Sequence, residues 1–541
     1  MSRTFFLSPE DAALNDAGVI DLHWPISRRE TCMVRDRFEQ NMLSDMRPGL
    51  ARDDADWAVV RVLIYEIARD VVAGWQLTAL RRRMSEADFE LSLPPRGYSL
   101  LQALTAGQDL PPPMALAALR RGLKAPARWA MPLRAVRNLL RRDAFSRRRA
   151  HRMRPDDIGC MSSAPFIARH AAAVATERNR RVVLCSFWEW FSLNDADRAA
   201  ALATPALSAT TMNQILEHAV DAYTAGGERM PEQIARGMQA WVIEASRWVR
   251  FYMDRMRARP ERLPRTLWYG SANNWWTRML RAVVQEAGGY CVGHDHGRGV
   301  GACPNEGEHG PVFDLCDEYV AYSPALAAAL ENIRAEIVPR LPSGGAGPKF
   351  SHAPANCLPP PVLRDQAPEE RKIMYIAPLY LGERVAGMNC LPADLVWLDW
   401  QARLLSHLSG DNRRVSFKGH PESVFPPPTT LLDIAQAEEI GGIVETCHQV
   451  ASAFVCDFLS TPFKTMVYTD RPIVFIDHGL GRLSPEIRRI IERRCAVVDG
   501  GFTESNRLDL SDWGGLDDAL RLAEERRLDR SCGHELFGYP R

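Results

Sequence analysis

At 541 residues the chain is too long for one ordinary hydrophobic core, so more than one folding unit is expected. Hydrophobic residues are 46% and charged residues 25%, with 67 Lys and Arg against 67 Asp and Glu, which excludes a disordered chain and a molecule-wide nucleic-acid signature. The 12 cysteines show no CxxC pair or Cys/His metal spacing, and neither a secretory leader nor a run of about eighteen apolar residues is present, so the simplest account is a reduced, cytoplasmic protein.

Residues 1–175 read as a helical, basic N-terminal extension. Val59, Val62, Leu63, Ile67, Val71 and Trp75 recur at helical spacing and predict an amphipathic helix, and Pro111-Pro112-Pro113 breaks the pattern. From Arg120 to Arg154 a dense series of arginines faces a single acid, Asp143, with Leu123, Trp129, Leu133, Val136 and Leu140 interleaved. Two readings stay open there. One is an element lying on an anionic membrane surface, which would make the protein peripheral at the inner face of the membrane; the other is a solvated basic helix packed by its Leu face. A nucleic-acid role is set aside because no recognised module surrounds the patch.

Residues 176–340 then carry strand and helix signals in alternation, with strands expected at 181–187, 266–270, 290–293 and 317–323. Clustered Pro, Gly and Ser at 341–370 mark a linker. From 371 to 541 strands at 372–377, 414–417, 442–444, 454–457, 472–476 and 496–498 alternate with helices, which implies a mostly parallel, doubly wound sheet.

Three constellations carry chemistry. Phe417-Lys418-Gly419-His420-Pro421 ends a strand; Pro421 turns the chain outward and displays His420, with Lys418 behind it, at the edge where open α/β sheets bind ligands. The alternative is an ordinary turn histidine. Ser460, Thr461 and Thr465 surround Pro462 at a helix start, where free N–H groups and hydroxyls suit an anion, or serve only as caps. His294, Asp295, His296, Gly297, Arg298, Gly299 and Gly301 form a glycine-rich loop after a strand, and a general base is drawn from its two imidazoles and its carboxylate. A metal pair His294-x-His296 with Glu306 or His309 is set aside for want of a firm ligand framework, and a dinucleotide site because the required helix does not follow.

Together these residues resemble the bacterial surface-polysaccharide glycosyltransferases of the GT-B type. That group includes the CMP-Kdo and CMP-sialic acid transferases, the CDP-glycerol glycerophosphotransferases, and cell-surface transferases with a Gln-His-Gly-rich loop. The match covers roughly residues 265–500, with Asp295 where Gln is usual. The resemblance implies an α/β, GT-B-like fold of two Rossmann-like doubly wound domains facing a cleft. It implies that His420, Lys418, Ser460, Thr461 and Thr465 hold the phosphate of a nucleotide-activated sugar, and that the base comes from the loop of His294, Asp295 and His296. The lack of a Glu-rich ribose motif favours a cytidine donor, such as a CMP-linked nonulosonic acid or Kdo, and a glycan, glycolipid or glycoprotein acceptor. No metal or other cofactor is implied. Rivals are a CDP-alcohol polyol-phosphate transferase of the same fold, a non-catalytic α/β docking protein and, more remotely, an epimerase.

Overall fold

The computed structural model describes residues 3–7, 9–20, 22–49, 55–92, 97–122, 156–161, 165–184, 190–270, 274–297, 300–302, 306–342, 346–354, 372–382, 391–410, 413–481 and 483–539. Two small ribbons come first: β1 (Arg3–Phe6) pairs with β4 (Phe89–Ser92), and β2 (Leu14–Asn15) with β3 (Gly18–Val19). A six-stranded sheet follows, built from β5 (Ile158–Cys160), β6 (Val182–Leu184), β7 (Thr266–Tyr269), β8 (Tyr290–His294), β9 (Glu318–Ala321) and β10 (Lys349–His352). Its order is β10-β9-β8-β7-β5-β6 and every pairing is parallel.

The second sheet comprises β11 (Lys372–Ile376), β12 (Arg414–Lys418), β13 (Glu438–Glu439), β14 (Ala451–Cys456), β15 (Ile473–Asp477), β16 (Ala496–Phe502) and β17 (Leu508–Leu510). The order β13-β12-β11-β14-β15-β16-β17 is the Rossmann order 3-2-1-4-5-6 with an antiparallel edge strand added. β14 and β15 are nearly continuous apolar runs, as strands covered on both faces require.

Several expected boundaries move. β5, inside the stretch 1–175, pairs with β6 and β7 next to the edge of the first sheet, so that unit begins before residue 176. β10 lies inside the expected linker 341–370 and extends the same sheet. Residues 442–444 are not a strand: Val444–Cys447 is a helical turn, and the edge strand is Glu438–Glu439. Most of the basic stretch, residues 123–154, lies outside the described residues; Arg120 and Arg121 end the helix Met114–Arg121. No helix among the described residues is long and apolar enough to cross a membrane.

The helix expected around Trp57–Trp75 runs from Ala55 to Glu86 and is buried nearly all round rather than amphipathic. It lies among the helices Arg28–Gly49, Glu232–Arg257 and Trp275–Glu286, so along most of its length no face is left to water, and only its ends are exposed. One largely buried charge cluster fastens it to the first sheet. Asp314 accepts from Arg61 (2.9 Å) and Arg278 (3.2 Å), and the Arg278 guanidinium lies 4.4 Å from the centre of the Tyr65 ring.

The N-terminal segment also reaches the second sheet. Val19 N–H donates to Asp399 on the helix Asp394–Ser409 (3.0 Å), and Arg403 and Arg507 bracket the same buried carboxylate. Gly18 is needed there: its φ is +107°, and a Cβ would lie 2.2 Å from Asp399 Oδ1. At the other end, Phe537 of the helix Ser531–Phe537 sits between Tyr322 (5.9 Å) and Phe463 (6.4 Å), one ring from each half. A continuous buried apolar cluster accordingly runs from Phe5 to Tyr539.

Removing one partner of a buried ion pair strands the other. Asp314→Ala leaves Arg278, 2% exposed, without its carboxylate. The expected loss is about 3–5 kcal/mol in chemical denaturation; a loss under about 1 kcal/mol, the worth of an exposed pair, would contradict the assignment.

Candidate functional site

In a sheet of this order the crossovers diverge between β11 and β14, and a crevice opens outside the carboxyl ends of those strands. A cleft of about 140 Å³ lies there. Ile376 and Ala377 line it from β11, Lys418 and His420 from β12, Glu445 from the turn before β14, and Ser460 and Thr461 from the segment after β14. The structure therefore brings the His-Pro turn and the hydroxyl cluster, about forty residues apart in the chain, onto one cavity. Beneath it Tyr375 and Trp400 donate to Asp457 (2.5 and 2.8 Å), tying β11 to the end of β14, and burial pushes the Asp457 carboxyl up to about 6.

Lys418 is 6% exposed. Its ammonium donates to the Gly419 carbonyl (2.6 Å) and, among the described residues, has no carboxylate partner. His420 is half-buried and accepts the Glu422 N–H at Nδ1 (3.1 Å), which leaves Nε2 to carry the proton of the neutral ring. Burial, with a smaller push from Lys418, lowers its pKa, while Glu422 pulls the other way. His420 is thus a hydrogen-bond donor at neutral pH and Lys418 the charge.

Ser460, not Thr461, occupies the cap position, and its side chain makes no capping hydrogen bond. The helix Thr461–Met466 is only six residues long, so its dipole adds little. Thr465 does not line the cleft: it is buried and donates to Glu445 (3.1 Å), whose position it sets, because its place one turn into the helix points it inward. Glu445 and Lys464 were not singled out from the sequence. Lys464 stood in plain view beside the hydroxyl cluster, whereas Glu445 becomes significant only once the sheet folds.

The glycine-rich loop resolves unevenly. His294 is 0% exposed, at the end of β8 among Phe166, Trp268 and Tyr322. Its Nδ1 lies 2.7 Å from the Asp295 carbonyl, which can only accept, so Nε2 accepts from His170 Nδ1 at 3.2 Å. Both nitrogens are engaged in the core, which removes His294 as a base and from a His294-x-His296 metal pair. Asp295 is also 0% exposed and accepts the Val300 N–H (2.9 Å); it closes the loop and does not face a reactant. His296 is exposed, and of the three it alone is placed to meet one.

Gly301 is required by packing rather than by a ligand, since a Cβ would lie 2.6 Å from the Leu326 carbonyl. Arg298 and Gly299 lie outside the described residues, as do the side chains of residues 306–309. The loop meets the hydroxyl cluster across the two halves: a Cβ on Gly297 would lie 3.3 Å from Thr461 Oγ1, and Lys464 Nζ lies 5.6 Å from the centre of the Phe166 ring. Burial depresses the Lys464 pKa, while Glu445 and Asp295 act to raise it.

No family model matches the chain, and no curated protein does. Solved structures that match include the crystal structure of the glycosyltransferase SnogD from Streptomyces nogalater, 13% identical over 70% of this chain and 95% of that one, with a TM-score of 0.26. A likeness that distant carries no weight, and the site stands on its own residues.

The buried imidazole pair has a measurable consequence. Burial lowers His294 to about 3 and His170 to about 4, from an ordinary value of 6.5. Below pH 6.5 the unfolded chain therefore takes up protons that the folded one refuses. The pair's stabilisation is complete above that pH and is lost progressively down to pH 3–4. Asp394 and Asp457, raised to about 6 by burial, act in the opposite sense, so the difference between wild type and His294→Gln is the quantity to follow. In denaturant melts that gap is expected to narrow by roughly 1 kcal/mol per pH unit between pH 6 and 4; a gap independent of pH would contradict the buried neutral pair.

Proposed function

We propose that the cleft at the β11/β14 crossover holds the phosphate of a nucleotide-activated sugar, and that the protein transfers the sugar to an acceptor hydroxyl. The observation that carries this reading is Lys418, a nearly buried ammonium facing the cavity and, among the described residues, with no carboxylate within ion-pairing distance, although Glu445 also lines the cleft. An uncompensated buried charge is costly, and a phosphate oxygen offsets that cost. Around it stand the Nε2–H of His420 and the hydroxyls of Ser460 and Thr461, all donors suited to a charge that grows as the nucleotide departs.

At about 140 Å³ the cleft is smaller than the roughly 300–1,000 Å³ that encloses a drug-sized ligand, so it seats the phosphate end only. The sugar then lies along the gap toward His296 and Gly297. His296 accepts the proton of the acceptor hydroxyl, whose oxygen bonds to the anomeric carbon, while the anomeric C–O bond breaks and its electron pair leaves with the phosphate. Lys418 and the surrounding donors supply the positive potential, so the reading assigns no metal or other cofactor.

The finer assignment rests on the resemblance to capsule transferases: a CMP-linked nonulosonic acid or Kdo as donor, and a surface glycan or glycoconjugate as acceptor. Transfer of polyol phosphate from a CDP-alcohol uses the same cleft, and the mass of the product formed from each donor separates the two. His420→Ala is expected to cut transfer about a hundredfold with the fold intact, and Lys418→Met to abolish CMP binding in calorimetry. Unchanged CMP binding in Lys418→Met, or no binding of CMP, CDP or UDP by the wild-type protein, would refute the phosphate site.

A further inference from the structure

The cleft at the β11/β14 crossover is lined by a carboxylate as well as an ammonium, and the two do not form an ion pair among the described residues. Glu445 belongs to the helical turn Val444–Cys447, between the edge strand Glu438–Glu439 and β14. Gly442, with φ at +82°, turns the chain toward the cleft, and both the N–H and the hydroxyl of Thr446 donate to the Ile443 carbonyl at 2.9 Å. That closed turn sets where Glu445 stands.

Its side chain is fixed as well. Thr465, 1% exposed, donates to Glu445 Oε1 (3.1 Å) from the helix that follows β14. Segments before and after one strand therefore hold the half-buried carboxylate at the cleft, where it would otherwise turn to water. A carboxylate offers only acceptors, so it gives nothing to a phosphate oxygen and repels one brought close. The donors beside it are the Lys418 ammonium, the Nε2–H of His420 and the hydroxyls of Ser460 and Thr461. Those groups suit the two free oxygens of a single phosphodiester. A second phosphate would bring two more oxygens to a wall that already carries Glu445. Lys464 lies on the same helix as Thr465, but its Nζ is turned over the Phe166 ring of the other half and it does not line the cleft.

We propose that Glu445 makes the cleft selective for a donor linked through one phosphate, by repelling the second phosphate of a diphosphate-linked donor. This rests on the reading of the cleft as a nucleotide-phosphate site and narrows it. At one residue it separates sugar transfer from a CMP-linked donor from polyol-phosphate transfer from a CDP-alcohol.

Calorimetry of the full-length protein with CMP and with CDP, in EDTA at fixed ionic strength, tests this. The two ligands share base and ribose, so the ratio of their affinities isolates the second phosphate, and EDTA removes divalent ions that would cancel its charge. The wild-type protein is expected to bind CMP about tenfold more tightly than CDP. Glu445→Gln, an isosteric change, is expected to bring the two within about twofold by strengthening CDP and leaving CMP nearly unchanged. Thr465→Val, which frees the carboxylate to turn away, is expected to shift the ratio in the same direction by a smaller factor. No binding of either nucleotide by the wild-type protein would refute the phosphate site itself. Binding of CMP with CDP equal or tighter would overturn only the role given to Glu445. So would a ratio unchanged in folded Glu445→Gln or, should that variant not fold, in Thr465→Val. An equal loss of both ligands in Glu445→Gln, the result for a carboxylate that holds the ribose, would overturn it too.

Discussion

Parallel strands cannot be joined by tight turns, and this constraint shapes everything around the cleft. Each crossover must return along a face of the sheet, so every loop that leaves a carboxyl end emerges on the same edge. Where the crossovers diverge, between β11 and β14, the loops part and leave a crevice. Lys418, His420, Ser460 and Thr461 meet for that reason. The nearly buried Lys418 ammonium is held there by its bond to the Gly419 carbonyl.

The edge is useful only if the opposite half is held against it, and the chain does this with both of its ends. The N-terminal hairpin is fastened to the second sheet by the Asp399 carboxylate with Arg403 and Arg507, and Arg28 donates to the Leu480 carbonyl (2.8 Å). The final helix wedges Phe537 between Tyr322 and Phe463, immediately beside the contact of Gly297 with Thr461. Charge holds one seam and aromatic packing the other. The glycine-rich loop is fixed from behind by the His170–His294 pair and by Asp295, which leaves His296 as its outward-facing titratable group.

Much of this was legible from local chemistry. Continuous apolar runs such as Ile473–Asp477 specify buried strands, Pro421 and Pro462 mark where strands hand over to turn and helix, and the α/β alternation after residue 371 predicts a parallel sheet. Short strands escape the sequence for one physical reason. β5 reads as part of a helical extension and Lys349–His352 as linker because a three- or four-residue strand carries too little periodicity to be recognised alone; pairing in the sheet defines it. The helix Ala55–Glu86 carries apolar residues on every side, and only its neighbours show that all of them are covered.

Residue types and their order along the chain determined that a lysine, three imidazoles, a carboxylate and a hydroxyl cluster would stand at strand ends, because those features reside in adjacent covalent positions. Burial decided which of them remain available. The same loop holds His294 with both nitrogens committed in the core and His296 in solvent, two residues apart on opposite sides of a strand end. Thr465 turns inward to Glu445 while Ser460, five residues earlier, faces the cleft. Such differences depend on what lies across the fold, supplied by residues 20 positions away for Thr465 and 124 for His294, and only the tertiary structure brings those neighbours into place.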